Sequence, residues 1–197
     1  MSENECKYAN KMESVELAYH SQLNLATNVI EGSANIILSK GNEIRNTIGQ
    51  IQLRYYVTKI YKDEIDLLDA AATYSMEEEH GMLVLGKYYG KAVMTKKIVL
   101  LSHFIIDDLY RKQGYGLQAM YELLKYLTLF EVDVIALSVS HAEQESKNDY
   151  NLSVKQLESF YKRFGFRYIH ELEDERVHPH LMFLEMTFDC FSKGNLG

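Results

Sequence analysis

The chain has 197 residues, 47% hydrophobic, 25% charged and 12% aromatic, with 11 Gly, one Pro and no Trp. That balance belongs to one ordinary globular domain and excludes collagen-like, coiled-coil, low-complexity and disordered chains. A formal net charge of −7 with no basic cluster speaks against nucleic-acid binding. Cys6 and Cys190 lie at opposite ends and form no C-x-x-C, so neither a disulfide framework nor a thiolate metal site is expected. The acidic start, Met1-Ser2-Glu3-Asn4-Glu5, lacks an apolar segment of the secretory kind, and no run approaches the length of a membrane span. A cytoplasmic, membrane-free protein without a metal is the expectation.

In chain order, Met12, Val15, Tyr19, Leu23, Ala26 and Ile30 recur at spacings of three and four, which predicts an amphipathic helix over about 10 to 30, ended near Gly32, within a variable helical region over 1–50. Ile51, Leu53, Tyr55, Val57 and Lys59 alternate with Gln52, Arg54, Tyr56 and Thr58 as in a half-buried strand. Between Asp63 and His80 there are seven acidic residues and no Lys or Arg, so the remaining chain balances at 21 of each sign. Such a stretch suits either a solvated acidic loop or the attraction of a cationic partner. The segment Gly81–Met94 reads as two short strands around a turn, and Lys97–Asp107 as a long apolar strand. Leu117, Met120, Tyr121, Leu124 and Leu127 then lie at helical spacing, and Val132–Val139 reads as a buried strand. A helix carrying Val154, Leu157, Phe160, Tyr161 and Phe164 closes at Gly165, and strands over Phe166–His170 and His180–Phe188 end the chain. The order predicts an α/β (α+β) fold: one domain over 1–197 with a mixed, mostly antiparallel sheet flanked by helices.

The most specific local feature is Arg111-Lys112-Gln113-Gly114-Tyr115-Gly116-Leu117, between a long strand and a helix. Glycines let backbone amides approach an anion, and a helix start adds partial positive charge. A Walker A loop is excluded, since no G-x-x-x-x-G-K-[ST] occurs. A dinucleotide fingerprint is matched formally by Gly114, Gly116 and Ala119, yet the strand does not run straight into Gly114, and Glu131 and Asp133 fall at the start of the next strand instead of its end.

Arg111-x-x-Gly114-x-Gly116 in that setting resembles the acyl-CoA pyrophosphate loop of the GCN5-related N-acetyltransferase superfamily. A second segment, Leu157-Glu158-Ser159-Phe160-Tyr161-Lys162-Arg163-Phe164-Gly165-Phe166, is similar to that family's helix-to-strand signature. The resemblance covers residues 80–188. It implies a V-shaped splay between two parallel strands, Leu101–Ile106 and Val134–Val139, that receives the pantetheine arm, with backbone contacts from Phe104, Ile105 and Ile106. It further implies pyrophosphate binding by the amides of Lys112, Gln113, Gly114, Tyr115, Gly116 and Leu117 with the Arg111 and Lys112 side chains near the phosphates, and acetyl-CoA as acyl donor. Tyr161 is the implied donor of a proton or hydrogen bond to the departing thiolate. The family's usual strand carboxylate is missing from Ile98–Ile106, which leaves His103 and His141 as candidates for base or water relay. Asn151 and Ser153 stand slightly out of register with the family's pantetheine-binding Asn.

The activity implied is acetyl transfer from acetyl-CoA to a primary amine of a small molecule or protein, by direct attack. Glu77, Glu78 and Glu79 favour a cationic acceptor. The alternatives are a catalytically inactive CoA-binding or regulatory module and a transferase of a longer acyl chain. Tyr55, Tyr56, Tyr61, Tyr88 and Tyr89 either line an acceptor pocket or pack on strand faces, and His178-Pro179-His180 reads as a loop entering the last strand. The protein is expected as a monomer or a homodimer.

Overall fold

The computed structural model describes residues 13–40, 44–139, 147–169 and 181–186. Its elements run β1 (Glu13–Asn24), β2 (Val29–Lys40), β3 (Ile44–Val57), α1 (Glu64–Ala72), α2 (Met76–Tyr89), β4 (Lys97–Ile106), α3 (Tyr115–Leu129), β5 (Val134–Ser138), α4 (Lys147–Lys162), β6 (Arg167–Tyr168) and β7 (Leu181–Glu185). The strands form one seven-stranded sheet in the order β1-β2-β3-β4-β5-β7-β6. Among the described residues, only β4 and β5 pair in parallel, and every other pair is antiparallel.

Two cores cover the two faces. Val99, Leu101, Ile135 and Leu137 pack with Ala119, Leu123 and Leu127 of α3 and with Val154 and Tyr161 of α4. Tyr56, Ile98, Leu100, Val134 and Ala136 pack on the other face with Leu67 and Ala71 of α1 and Met82 and Leu85 of α2. Alternation along each strand thus divides the apolar residues between the two layers.

Where the sequence predicts a helix over 10 to 30, the described residues from Glu13 onward form a β-hairpin, and the helical character expected within 1–50 is corrected for the described residues 13–40 and 44–50, which are strands and their turn. Val15, Leu17 and Tyr19 also satisfy a period of two, and their neighbours Ser14, Glu16, Ala18 and His20 are exposed. Pairing of β1 with β2, and of β2 with β3, decides between the periods, because β2 is laddered on both sides and all twelve residues of β1 are in register with it. Asn28, at φ 57, turns the hairpin. Gly32 ends nothing: it sits within β2, where a Cβ would come within 2.6 Å of Leu53 Cδ1.

The strands expected within Gly81–Met94 are instead most of α2 and a 3-10 segment, Gly90–Thr95. Ser75 caps α2 by accepting from the Glu78 N–H (3.1 Å), acidic residues fill the first turn, and Gly90 ends it at φ 56. Of its buried residues, Glu78, Gly81, Met82 and Leu85 follow one helical stripe, with Val84 beside it. The strands read at 51–59 and 97–107, the helices read after Gly114 and before Gly165, and the strand near 132–139 are present as β3, β4, α3, α4 and β5. His170, His178, Pro179, His180 and Phe188 lie outside the described residues.

Candidate functional site

The site begins where β4 and β5 separate. Their pairing covers Ile98 with Val134, Val99 with Ile135 and Leu100 with Ala136, and stops there, while β4 continues to Ile106 and β5 to Ser138. The closed end is clamped by Asp133. Its amide donates to the Lys97 carbonyl (2.8 Å), and its carboxylate accepts from the Lys97 amide (2.7 Å). Beyond Leu100 the strands carry no mutual ladder, which is the splay that the resemblance implied.

A β-bulge lies at the mouth of this splay. Gln52 pairs with His103 and Leu53 with Leu101, so Ser102 is the extra residue on β4. The bulge shifts the parity of β4, and Phe104 and Ile106 therefore share the α3/α4 face with Val99 and Leu101. The Asp107 N–H donates to the Ile48 carbonyl (2.9 Å). By the alternation of an antiparallel ladder, the backbone groups of Ile106 and Phe104 then face away from β3, toward the gap, whereas those of Ile105 face β3. Gly49, opposite Ile106, is required by contact: a Cβ there would lie 2.1 Å from the Ile105 carbonyl oxygen.

The glycine loop stands at the end of β4. Lys112 (φ 60) and Gly114 (φ 87) are both left-handed, and Gly114 forms the N-cap without a capping side chain. The first intrahelical bond runs from the Gln118 N–H to the Gly114 carbonyl (3.2 Å), so the amides of Tyr115, Gly116 and Leu117 have no acceptor within the helix. Arg111 braces the loop: its Nε donates to the Ile106 carbonyl (2.8 Å), and its Nη1 pairs with Asp108 (2.7 Å). Gln113 Nε2 donates to the Leu109 carbonyl (2.8 Å), and the Tyr115 hydroxyl donates to Glu13. A Cβ at Gly116 would lie 3.6 Å from Ile106 Cγ1 and 3.7 Å from Phe160 Cε2, and the Phe104 and Phe160 rings are 5.8 Å apart. Both sequence motifs thus meet beside the open end of β4.

Tyr161 is buried in the α3/α4 core, edge-on to Phe160 and Phe166 (5.2 and 5.6 Å). Its carbonyl accepts from Phe164 and Phe166 at the turn that Gly165 completes at φ 90. Burial pushes its phenol above the ordinary range, so it stays protonated.

On the α1/α2 side, a cavity of about 190 Å³ opens at the splay. Leu100, Leu101, Ser102 and His103 of β4 and Ala136, Leu137 and Ser138 of β5 line it, with Arg54, Tyr74, Glu77, Glu78 and Gly81 across from them. His103 therefore reaches the cavity and is exposed; Tyr161 is not among the lining residues, and His141 lies outside the described residues. Residues 151 and 153 belong to α4.

The polar wall of this cavity was not singled out from the sequence. Glu78, counted there among attracting surface acids, is only 7% exposed. Its Oε1 accepts from Arg54 Nη1 (2.5 Å), and its Oε2 accepts from the Tyr56 hydroxyl (2.9 Å). Burial pushes the Glu78 carboxyl above the usual range, opposed by the Arg54 charge and the Tyr56 hydrogen bond. The Arg54 guanidinium lies 4.3 Å from the Tyr74 ring centre. One signal was available: Arg54 and Tyr56 share the β3 face that α2 covers.

A mixed α/β sheet with a splayed parallel pair, an uncapped glycine-rich helix start at one side of the splay and a polar cavity at the other defines the class. Among the described residues no cluster of three or more His, Cys, Asp or Glu could hold a metal, and no helix is long and apolar enough to cross a membrane. No protein-family model matches the chain, and no curated protein matches it. Among solved structures it is similar to FeeM, an N-acyl amino acid synthase from uncultured soil microbes, at 11% identity over 87% of this chain and 92% of that one, with a TM-score of 0.46. A mosquito arylalkylamine N-acetyltransferase like 5b matches at 14% identity over 80% and 74%, TM-score 0.42. A mutant AtaT toxin bound to the C-terminus of the antitoxin AtaR matches at 13% identity over 88% and 92%, TM-score 0.41.

Proposed function

We propose that the protein is an acyl-CoA-dependent N-acyltransferase of the GCN5-related kind, with acetyl-CoA as donor and a primary amine as acceptor. The observation that carries this reading is the opening of β4 against β5 in line with the uncapped start of α3. Backbone groups of Phe104 and Ile106 would pair with the amide-bearing pantetheine arm as a strand does. The unpaired amides of Tyr115, Gly116 and Leu117 would then take the pyrophosphate, where the helix dipole favours negative charge.

In this arrangement the thioester lies at the mouth of the splay, beside the bulge at Ser102 and next to the cavity. The acceptor arrives as an ammonium ion and loses one proton before attack. His103, exposed on the cavity wall, is the candidate base or water relay on the described strands. The amine nitrogen attacks the carbonyl carbon, and a backbone N–H near His103 or Phe104 stabilises the charge that develops on oxygen. The C–N bond forms, the C–S bond breaks, and the thiolate leaves on the Tyr161 side. The raised phenol of Tyr161 suits a hydrogen bond to sulfur better than complete proton transfer, so the second amine proton neutralises the thiolate. The sum is an amide, free CoA thiol and one proton released to solvent.

The test is thiol release from acetyl-CoA, followed with a thiol-reactive chromophore across a panel of amines. Release that depends on the acceptor supports the transferase. Binding of acetyl-CoA without release for any amine would favour a CoA-binding regulatory module, and faster release from longer acyl-CoAs would reassign the donor.

A further inference from the structure

Among the described residues of the cavity wall, one buried side-chain atom lacks a hydrogen-bond partner, and it belongs to a cation. Arg54 uses only one edge of its guanidinium: Nη1 donates to Glu78 Oε1 (2.5 Å) and to Ser102 Oγ (3.3 Å). Nε is buried without a partner, and Nη2 makes no hydrogen bond among the described residues. Nε and Nη2 together form the side edge of a guanidinium, the edge that matches a carboxylate with two parallel bonds.

Neighbouring polar groups are already engaged. Glu78 has one bond on each oxygen. Ser102 Oγ donates to the Gln52 carbonyl (3.2 Å), and the Tyr74 hydroxyl donates to Glu31 (2.9 Å). Tyr74 also covers one face of the guanidinium, which fixes its plane. A guanidinium donates and never accepts, so a guest that reaches this unpartnered edge must supply acceptor oxygens, and the fixed positive charge favours an anionic one. Buried polar groups without partners are scarce in native proteins, and an orphaned buried N–H beside a cavity calls for such a guest. The rest of the lining joins the apolar or small Gly81, Leu100, Leu101, Ala136, Leu137 and Leu181 to the polar Ser75, Glu77, His103 and Ser138.

We infer that the acceptor is an amine that also carries a carboxylate, a small amino acid with an apolar side chain, and that Arg54 binds its carboxylate while its amine points to the splay. This rests on the transferase reading above. It departs from the cationic acceptor that the acidic stretch favours, because Glu78 of that stretch is turned inward and spent on Arg54.

The experiment compares matched acceptors that differ only in the carboxylate: leucine against 3-methylbutylamine, and alanine against ethylamine, each with acetyl-CoA. The expected result for the parent protein is a preference of about 10- to 100-fold for the amino acid, expressed in acceptor KM. Arg54→Lys keeps the charge but loses the fork, and it should collapse that preference. The double variant Arg54→Gln with Glu78→Gln removes the guanidinium without leaving a lone buried charge, and should collapse it too. Acetyl-CoA is titrated into each variant in parallel, with a thermal melt as the check of folding. Acetyl-CoA binding with no preference between matched acceptors, or with no turnover of any amino acid, overturns the inference and leaves the donor site standing. Absence of acetyl-CoA binding to the folded parent overturns both.

Discussion

Gly49→Ala tests the geometry of the splay without touching a polar group. A Cβ at this position would stand 2.1 Å from the carbonyl oxygen of Ile105, and the obstacle is backbone, which cannot rotate aside. Real contacts of this kind stay beyond about 3 Å, so β3 and β4 must part by roughly 1 Å at the end of their ladder. Overpacking of that size costs about 1–3 kcal/mol. At about 2–4 °C per kcal/mol for a domain of this length, 2 kcal/mol is a drop in Tm of about 4–8 °C. Gly86→Ala is the control: it lies inside α2, nothing stands within 4 Å of its added Cβ, and it should gain about 0.5–1 kcal/mol from helix propensity. Thermal and urea denaturation of the two variants beside the parent read the difference. Because Ile106 bounds the gap, Gly49→Ala should also weaken acetyl-CoA binding, while Gly86→Ala should not. Equal stability of Gly49→Ala and parent would refute the close approach of β3 to β4, and with it the placement of the open end of β4.

Other predictions follow from single contacts. The Glu78 carboxyl is raised by burial, so between its unfolded and folded values the native protein keeps a proton that the unfolded chain has lost. Stability should therefore fall as pH rises through that window; Glu78→Gln should remove the slope, and should also lower stability at neutral pH because it leaves the Arg54 charge without its partner, read by urea titration at several pH values. Tyr161→Phe should lower kcat about tenfold or more while Tm and the KM for acetyl-CoA hold, since its hydroxyl makes no hydrogen bond among the described residues; an unchanged kcat removes it from the thiolate. Asp133→Asn weakens the acceptor of the Lys97 amide at the closed end of the parallel pair and should cost about 1 kcal/mol in a denaturant titration.

The half of the chain from β4 to the Gly165 turn was legible because its signals are local. Lys97–Ile106 is a long apolar run, Gly114 and Gly165 mark the start of one helix and the end of another with left-handed φ, and α3 and α4 carry unambiguous helical spacing. The first half was harder for a physical reason. Val15, Tyr19 and Leu23 satisfy a helical period as well as an alternating one, and only the partner strand, Val29–Lys40, selects between them. In α2 the glycines Gly81 and Gly86 imitate strand boundaries, yet Gly81 is small because Leu181 packs above it, at 3.4 Å from an added Cβ. The polar cavity was not legible at all. Arg54 and Glu78 stand 24 residues apart on different elements, and no spacing rule joins a β3 side chain to the first turn of a helix. His103 was named for its type and its strand, and reaches the cavity through a bulge that no alternation pattern announces.

The central claim is that the start of α3 and the open end of β4 together receive acyl-CoA. Its most direct test is calorimetric titration of acetyl-CoA into the parent protein and into Gly114→Glu. The added side chain meets open space, and its left-handed φ costs roughly 1–2 kcal/mol, so the variant should fold with a carboxylate standing where the pyrophosphate belongs. The account predicts saturable binding to the parent and none to the folded variant. Equal binding to both, or none to the parent, would contradict it.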